Sequence, residues 1–421
     1  MSDPVRIEAD YLIETAHDPR AAAEAIAGEQ SSGTFVPVPG ETPELKARAA
    51  ARIEALEVLG EVPHPSLPGA RPPGGGDGTV WRQARATLSW PLDNLGPSLP
   101  NLLATVAGNL FELGQLSGLR LLDIRLPAAF AEAYGGPRFG IAGTRRLAGV
   151  EGRPLIGTII KPSVGLGPEE TAALTRTLCE AGIDFIKDDE LQADGPACPF
   201  EARARAVLRV VNDHADRTGK KVMFALNITG ELDQMRRRHD LVLALGGTCV
   251  MAGLNSIGLV GAIELGRFAQ LPIHAHRNGW GALSRHPALG WSYPAWGKIW
   301  RLAGVDHMHV NGLANKFSED DASVIESARA CLTPMFEAKP CLVMPVFSSG
   351  QSAKQAPGTF AALRSTDLIF AAGGGIMAHP DGPAAGVEAL REAWGAAIGG
   401  VPLAERARAH PALARALGGA S

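Results

Sequence analysis

"LIGTIIKPSVGLGPEETAALTRTLCEAGIDFIKDDE", residues 155–190, contains the repeat that sets the fold. Its ends are short β-rich runs, "LIGTIIKP" (155–162) and "DFIKDDE" (184–190), and the segment between them has helical spacing and is long enough to cross over. Six runs of the same kind follow: "KVMFALNIT" (221–229), "TCVMAGL" (248–254), "PIHAHRN" (272–278), "DHMHVNG" (306–312), "LVMPVFSSG" (342–350) and "DLIFAAGGG" (367–375). Segments of crossover length separate them, among them "PFEARARAVLRVVNDHADRTG", and "PAAGVEALREAWGAAIGG" reads as a closing helix. Eight strands alternating with helices predict an α/β fold, a closed (β/α)8 TIM barrel over residues 141–421. A doubly wound open sheet seldom needs eight repeats and would bring a Gly-rich first turn.

Upstream the pattern is less regular. "ETPELKARAAARIEALEVLG" (41–60) predicts a helix, the Pro/Gly-rich stretch 63–78 a loop, "TVWRQARATLSWP" (79–91) a strand and "LPNLLATVAGNLFELGQL" (99–116) an apolar helix. Strands and helices mixed in this way predict a smaller N-terminal α+β domain of ferredoxin-like type over residues 1–140.

Composition narrows the function. A chain of 421 residues, 46% of them hydrophobic, can bury a large core. A net charge of −4 spread along the sequence provides no basic tract for nucleic acid, so a small-molecule partner is expected. Five scattered cysteines make neither a metal-type pattern nor a disulfide framework. The N-terminus lacks a signal-peptide pattern and no apolar run approaches membrane-spanning length; a cytoplasmic protein with no membrane partner is expected.

Polar residues collect at the strand ends: Lys161, then Lys187, Asp189 and Glu190, Asn227, His274 with His276 and Arg277, His307 with His309, Ser348–Gly350 and Gly373–Gly375. In a barrel these ends converge on the face where active sites are built. Alternation puts Lys187 and Asp189 on one face, Asp188 opposite and Glu190 just beyond the strand. The carboxylates are hard oxygen ligands suited to Mg²⁺. The lysine would join them only by losing its charge and gaining oxygens, which carbamylation by CO₂ would accomplish. A structural lysine–carboxylate salt bridge is the other reading, and the residues alone leave both open. The glycines at the seventh and eighth ends are turn residues or, through their backbone N–H groups, a phosphate site. The paired histidines with Arg277 suit a second anion site, whereas zinc lacks a third ligand at its usual spacing.

"GTIIKPSVGLG", "DFIKDDE", "HAHR", "DHMHVNGLANK", "SSG" and "GGG…HPDGPAAG" occur in the order found in the large subunit of ribulose-bisphosphate carboxylase/oxygenase (RuBisCO), which the sequence resembles. The resemblance extends to "GEQSSGTF" (28–35) and "GNLFELGQLSGLRLLDIRLP" (108–127), and so covers nearly the whole chain. It implies a homodimer, or an assembly of dimers, in which the N-terminal domain completes the partner's active site. By matching motif, Lys187 as a carbamate would bind Mg²⁺ with Asp189 and Glu190, and Lys161 would be the acid/base. His276 and His309 would line the substrate, with Arg277, His309 and Ser349 at one phosphate position and Gly350, Gly373 and Gly374 at the other. Lys316 resembles the mobile lysine of the sixth loop, and Glu29, Thr34 and Asn109 resemble the partner's contribution.

Three departures separate the chain from carboxylases. Ser163 stands where the first-strand motif has a second lysine, "VNGLANKFSED" lacks the CO₂-holding pattern of the sixth loop, and Gln351 replaces a phosphate-contacting glycine. The sequence thus resembles the RuBisCO-like proteins. What the resemblance implies is a Mg²⁺-dependent lyase or carbon–carbon hydrolase acting on a phosphorylated 3-oxo sugar acid: 3-oxo-isoapionate 4-phosphate decarboxylase, or the related transcarboxylase/hydrolase of apionate catabolism. Enolisation or isomerisation of a methylthio-ketose phosphate, as in methionine salvage, is the alternative. A non-catalytic phosphosugar binder is the alternative of another class.

Overall fold

The computed structural model describes residues 4–33, 38–75 and 79–418. The strands are β1 (Arg6–Thr15), β2 (Arg52–Val62), β3 (Trp81–Pro91), β4 (Leu116–Arg125), β5 (Leu155–Ile159), β6 (Phe185–Lys187), β7 (Met223–Asn227), β8 (Cys249–Gly253), β9 (Ile273–His276), β10 (Leu289–Trp291), β11 (His307–Asn311), β12 (Met344–Phe347) and β13 (Ile369–Ala371). The chain forms two compact units. One is Met1–Tyr134 with Gly279–Ile299, the other Gly135–Asn278 with Trp300–Ser421.

The first unit is built on a five-stranded sheet in the order β10-β4-β1-β3-β2. Its central strands pair antiparallel, while β10 lies parallel to β4. Alternation along β1 buries Ile7, Ala9, Tyr11 and Ile13 completely, and the Tyr11 hydroxyl donates to the Val106 carbonyl at 2.8 Å. On the opposite face Asp10 receives Arg125 at 2.8 and 2.9 Å and Thr87 at 2.7 Å.

Two expectations fail here. The helix expected over 41–60 runs only from Pro43 to Ala49, and β2 takes the remainder. The run "RIEALEVLGEV" offers Ile53, Leu56 and Leu59 at helical spacing, yet pairing with β3 prevails. That register sets Glu57 opposite Arg85 and brings Arg82 to 3.3 Å from Glu61, cross-strand charge pairs that a helix would forgo. The apolar helix expected over 99–116 stops at Ala107. Gly108 then approaches the Ala104 carbonyl so closely that a Cβ would lie 2.3 Å from its oxygen, and the chain turns into a single 3₁₀ turn, Asn109–Glu112.

In the second unit the eight expected strands are all present. They close as β11-β12-β13-β5-β6-β7-β8-β9, every neighbour parallel. Leu155, Phe185, Met223, Ala225, Met251, Met344, Val346 and Ile369 pack inside. Helices follow the strands, Pro168–Glu180 and Phe200–Thr218 among them, and Pro383–Gly399 closes the unit as expected. At the N-terminal end of the barrel Asp184 is met by Arg153 and Lys220 at 2.5 Å each and by the Ile156 N–H at 2.9 Å. Asp306 there accepts the N–H groups of Phe139, Gly140 and Ile273 at 2.7–2.8 Å. The five cysteines are free and buried, and no helix among the described residues is long and apolar enough to cross a membrane.

Candidate active site

The opposite end of the barrel gathers the reactive side chains. Lys187 is the last residue of β6 and is 1% exposed; its Nζ donates to the Asp188 carbonyl at 2.7 Å and lies 3.5 Å from Glu190 Oε2. Burial pushes its pKa down, against the opposing pull of Glu190, Asp189 and Asp188. Asp189 Oδ2 accepts from Lys161 at 2.6 Å, and Lys161 also donates to the Ser163 hydroxyl at 2.7 Å. Glu190 Oε2 is 3.4 Å from His276 Nε2. Burial works against ionisation of Glu190, but Lys187, a backbone N–H and Lys161 together hold its carboxyl below the usual range. Five residues singled out in the sequence, Lys161, Lys187, Asp189, Glu190 and His276, thus form one cluster.

The fourth member of the charged run has a different task. Asp188 Oδ2 accepts from Arg203 at 3.2 Å and from the Asn227 N–H at 2.9 Å. Burial raises its pKa, and Arg203 opposes that rise. Arg203 is itself fully buried and also donates to the carbonyls of Cys198 (2.9 Å), Gln192 (3.1 Å) and Ala193 (2.7 Å). It fastens the segment after β6 from behind, while Asn227 Nδ2 reaches the carbonyls of Asp189 and Glu190 at 3.2 and 3.3 Å. Arg203 was missed in the sequence. Its signal was its position on the buried stripe Phe200, Ala204, Val207, Val211, where a charge needs a buried counterpart.

The histidines line the barrel wall. His276 stacks edgewise on His309 with centroids 4.6 Å apart, His274 and His309 share a hydrogen bond of 2.8 Å, and His309 Nδ1 is 3.0 Å from Ser348 Oγ. His307 is deeper, 2.8 Å from the Thr144 hydroxyl. Burial keeps all four neutral, with His307 held at about 3.

Arg277 and Ser349 come together around two residues the sequence reading passed over. Arg277 Nη2 and Asn311 Nδ2 both donate to Glu319 Oε2 at 2.5 Å, and the Ser349 hydroxyl donates to Asn311 Oδ1 at 2.8 Å. Lys316 donates its backbone N–H to the Ser349 carbonyl at 3.2 Å, and its Nζ lies over the Phe317 ring. Gly350 has a φ of 88° and faces Lys316. Gly373 and Gly374 follow β13 with little or no atomic crowding at their Cα atoms. Gln351 is buried; it donates to the Leu313 carbonyl at 3.0 Å and fills the space that a side chain at Gly312 would need. In the first unit, Glu29 ends the helix Pro19–Glu29 and Asn109 begins the neighbouring 3₁₀ turn, whereas Thr34 lies outside the described residues.

The family model for the ribulose bisphosphate carboxylase large chain, catalytic domain, matches residues 140–419, and that for its N-terminal domain matches residues 78–130. A 3-oxo-isoapionate-4-phosphate transcarboxylase/hydrolase of Xanthobacter autotrophicus is 62% identical over 98% of this chain and 99% of its own. A 3-oxo-isoapionate-4-phosphate decarboxylase of Rhizobium etli is 45% identical over 97% of each. The crystal structure of a rubisco-like protein from Burkholderia fungorum superposes with a TM-score of 0.91 at 52% identity, covering 98% of this chain and 99% of that one. Fold, motif order and relatives together make this chain a member of the ribulose bisphosphate carboxylase large-chain family, on its RuBisCO-like branch.

Proposed function

We infer that this enzyme of the RuBisCO-like group acts on 3-oxo-isoapionate 4-phosphate by carboxyl transfer and hydrolysis, the activity named for its Xanthobacter relative. Simple decarboxylation of the same substrate is the second reading, favoured by the Rhizobium etli relative. The observation that carries the inference is a fully buried lysine set among carboxylates at the barrel mouth, in a chain 62% identical to that transcarboxylase/hydrolase.

The donor set fits a divalent cation held by a modified lysine. Two carboxylates, Asp189 and Glu190, are the acidic groups available, each already drawn to a lysine. Among the described residues no group of three His, Cys, Asp or Glu side chains is placed to hold a metal ion, and the buried Lys187 beside the two carboxylates supports a carbamate as the third anionic ligand. Carbamylation would supply it and would replace a buried positive charge by a negative one. Asp189, Glu190 and carbamylated Lys187 would hold Mg²⁺, which would supply positive charge against the oxygens of the substrate that become electron-rich.

The remaining roles belong to the chain. Lys161, with its side chain 42% exposed, can swing from Asp189 and Ser163 towards substrate and deliver a proton to the carbon from which the carboxyl group departs. Neutral His276 offers a hydrogen bond without adding charge, and neutral His309, stacked edgewise on it, lines the site. Backbone N–H groups of Gly350, Gly373 and Gly374 would take the phosphate, with Lys316 near Gly350. Glu29, Thr34 and Asn109 would complete the site of a partner copy in a homodimer.

Incubation of the purified protein with Mg²⁺, bicarbonate and 3-oxo-isoapionate 4-phosphate tests this. Cleavage products without CO₂ release support carboxyl transfer and hydrolysis; stoichiometric CO₂ supports decarboxylation. Neither product, with solvent deuterium entering an added methylthio-ketose phosphate, would replace both by enolisation.

A further inference from the structure

Each group expected at the Arg277 phosphate position already makes a hydrogen bond within the protein. Arg277, 7% exposed, gives Nη2 to Glu319. Ser349 gives its hydroxyl to Asn311, and Asn311 gives its amide to the same Glu319 oxygen. His309 is bonded at both ring nitrogens, to His274 and Ser348. Glu319 is not a loose surface group. Its second oxygen accepts the Ser323 hydroxyl at 2.9 Å, its carbonyl accepts Asn315 Nδ2 at 3.0 Å, and its side chain is 15% exposed. The carboxylate is therefore fixed from three sides, by Arg277 just after β9, by Asn311 at the end of β11 and by Ser323 of the helix Asp321–Leu332.

A phosphate brought to Arg277 would meet a carboxylate at the same guanidinium and find one N–H of the Asn311 amide already given to that carboxylate. Like charges set that close in a poorly solvated site repel strongly. At the other phosphate position Gly374 has no atom within 4 Å of where a Cβ would stand, and a Cβ at Gly350 would meet only Lys316, at 3.7 Å.

We propose that Glu319 closes the Arg277 end of the site to phosphate, so that this chain selects a substrate with one phosphate group, held at the Gly350, Gly373 and Gly374 end, and rejects sugar bisphosphates. This rests on the preceding reading only in placing phosphate at the glycines. Discrimination comes from a built-in repulsive group rather than from an added attraction.

The test is calorimetric titration of the full-length protein, with Mg²⁺ and bicarbonate present, by ribulose 1-phosphate, ribulose 5-phosphate and ribulose 1,5-bisphosphate. The unmodified protein should bind the bisphosphate no more tightly than the better monophosphate. Glu319→Gln, which keeps the shape and removes the charge, should improve bisphosphate binding by about ten-fold or more relative to that monophosphate. A bisphosphate preferred ten-fold by the unmodified protein overturns the proposal, whether or not the variant folds. So does an unchanged ratio in Glu319→Gln, or an equal gain for both ligands, which would mean that the carboxylate merely masks Arg277 from the single phosphate. Failure of both monophosphates to bind at millimolar concentration overturns it as well. No turnover is measured, so a wrong assignment of the reaction and a wrong role for Glu319 give different results.

Discussion

The two ends of the barrel treat acidic side chains in opposite ways. At the N-terminal end, Asp184 and Asp306 are buried, and each carboxylate is met by three protein donors at 2.5–2.9 Å. At the mouth, Asp189 and Glu190 lean on lysines and a histidine, and Glu190's contacts stretch to 3.4 and 3.5 Å. A carboxylate saturated by its own protein has nothing left to offer a ligand. One held by displaceable partners does, and this is the division of labour expected between the stability face and the catalytic face of such barrels. Asp188 shows both principles within one tetrapeptide, because Arg203 ties it down so that its neighbours can stay available.

Substitutions can break that contrast in turn. The largest effect is expected from Lys187→Ala: turnover should fall by about four orders of magnitude, ~5 kcal/mol of barrier, while circular dichroism and the melting profile stay close to the parent. Undiminished turnover would remove Lys187 from the proposed metal site. Asp184→Asn should do the reverse. It strands Arg153 and Lys220 beside a neutral group, costing about 3–5 kcal/mol of stability, with kcat per folded molecule unchanged. Denaturant titration beside activity separates the two. Arg203→Met falls between: Asp188 loses its counter-charge, and Mg²⁺ titration should show affinity weakened by about 10–100-fold. Equal Mg²⁺ affinity would reduce Arg203 to a packing role.

The smallest effect tests a saturated carboxylate in the first unit. The Arg125 bonds hold Asp10 down at about 2, from a usual value of 3.8. A depressed folded-state pKa adds stability that is complete above 3.8 and disappears as pH falls through about 2. Asp10→Asn should lower stability by about 1–2 kcal/mol at neutral pH, and its melting temperature should decline less between pH 4 and pH 2 than the parent's. Parallel curves would show that the ion pair contributes nothing net.

The barrel was legible because short β-rich runs recur eight times, and all but the fourth end in the residues that chemistry needs. The cluster of Lys161, Lys187, Asp189, Glu190 and His276 could be assembled from strand ends alone, since parallel strands in register bring their ends together. What the sequence hid depends on three-dimensional partners. Glu319 looked like one charge in a polar loop until Arg277, 42 positions earlier, was found against it. The strand β2 looked helical because Glu-rich sequence with Ile53, Leu56 and Leu59 satisfies helical spacing, and only β3 alongside reveals the other choice.

The sheet of the first unit draws β10 from a segment that the chain reaches only after building five strands of the barrel. No single cut therefore separates the two units. A fragment ended near residue 140 would carry β1 to β4 but leave the β4 edge bare, inviting it to recruit a foreign strand. Anyone expressing that unit alone should graft Gly279–Ile299 onto it through a linker, or supply the segment as a separate peptide and look for complementation.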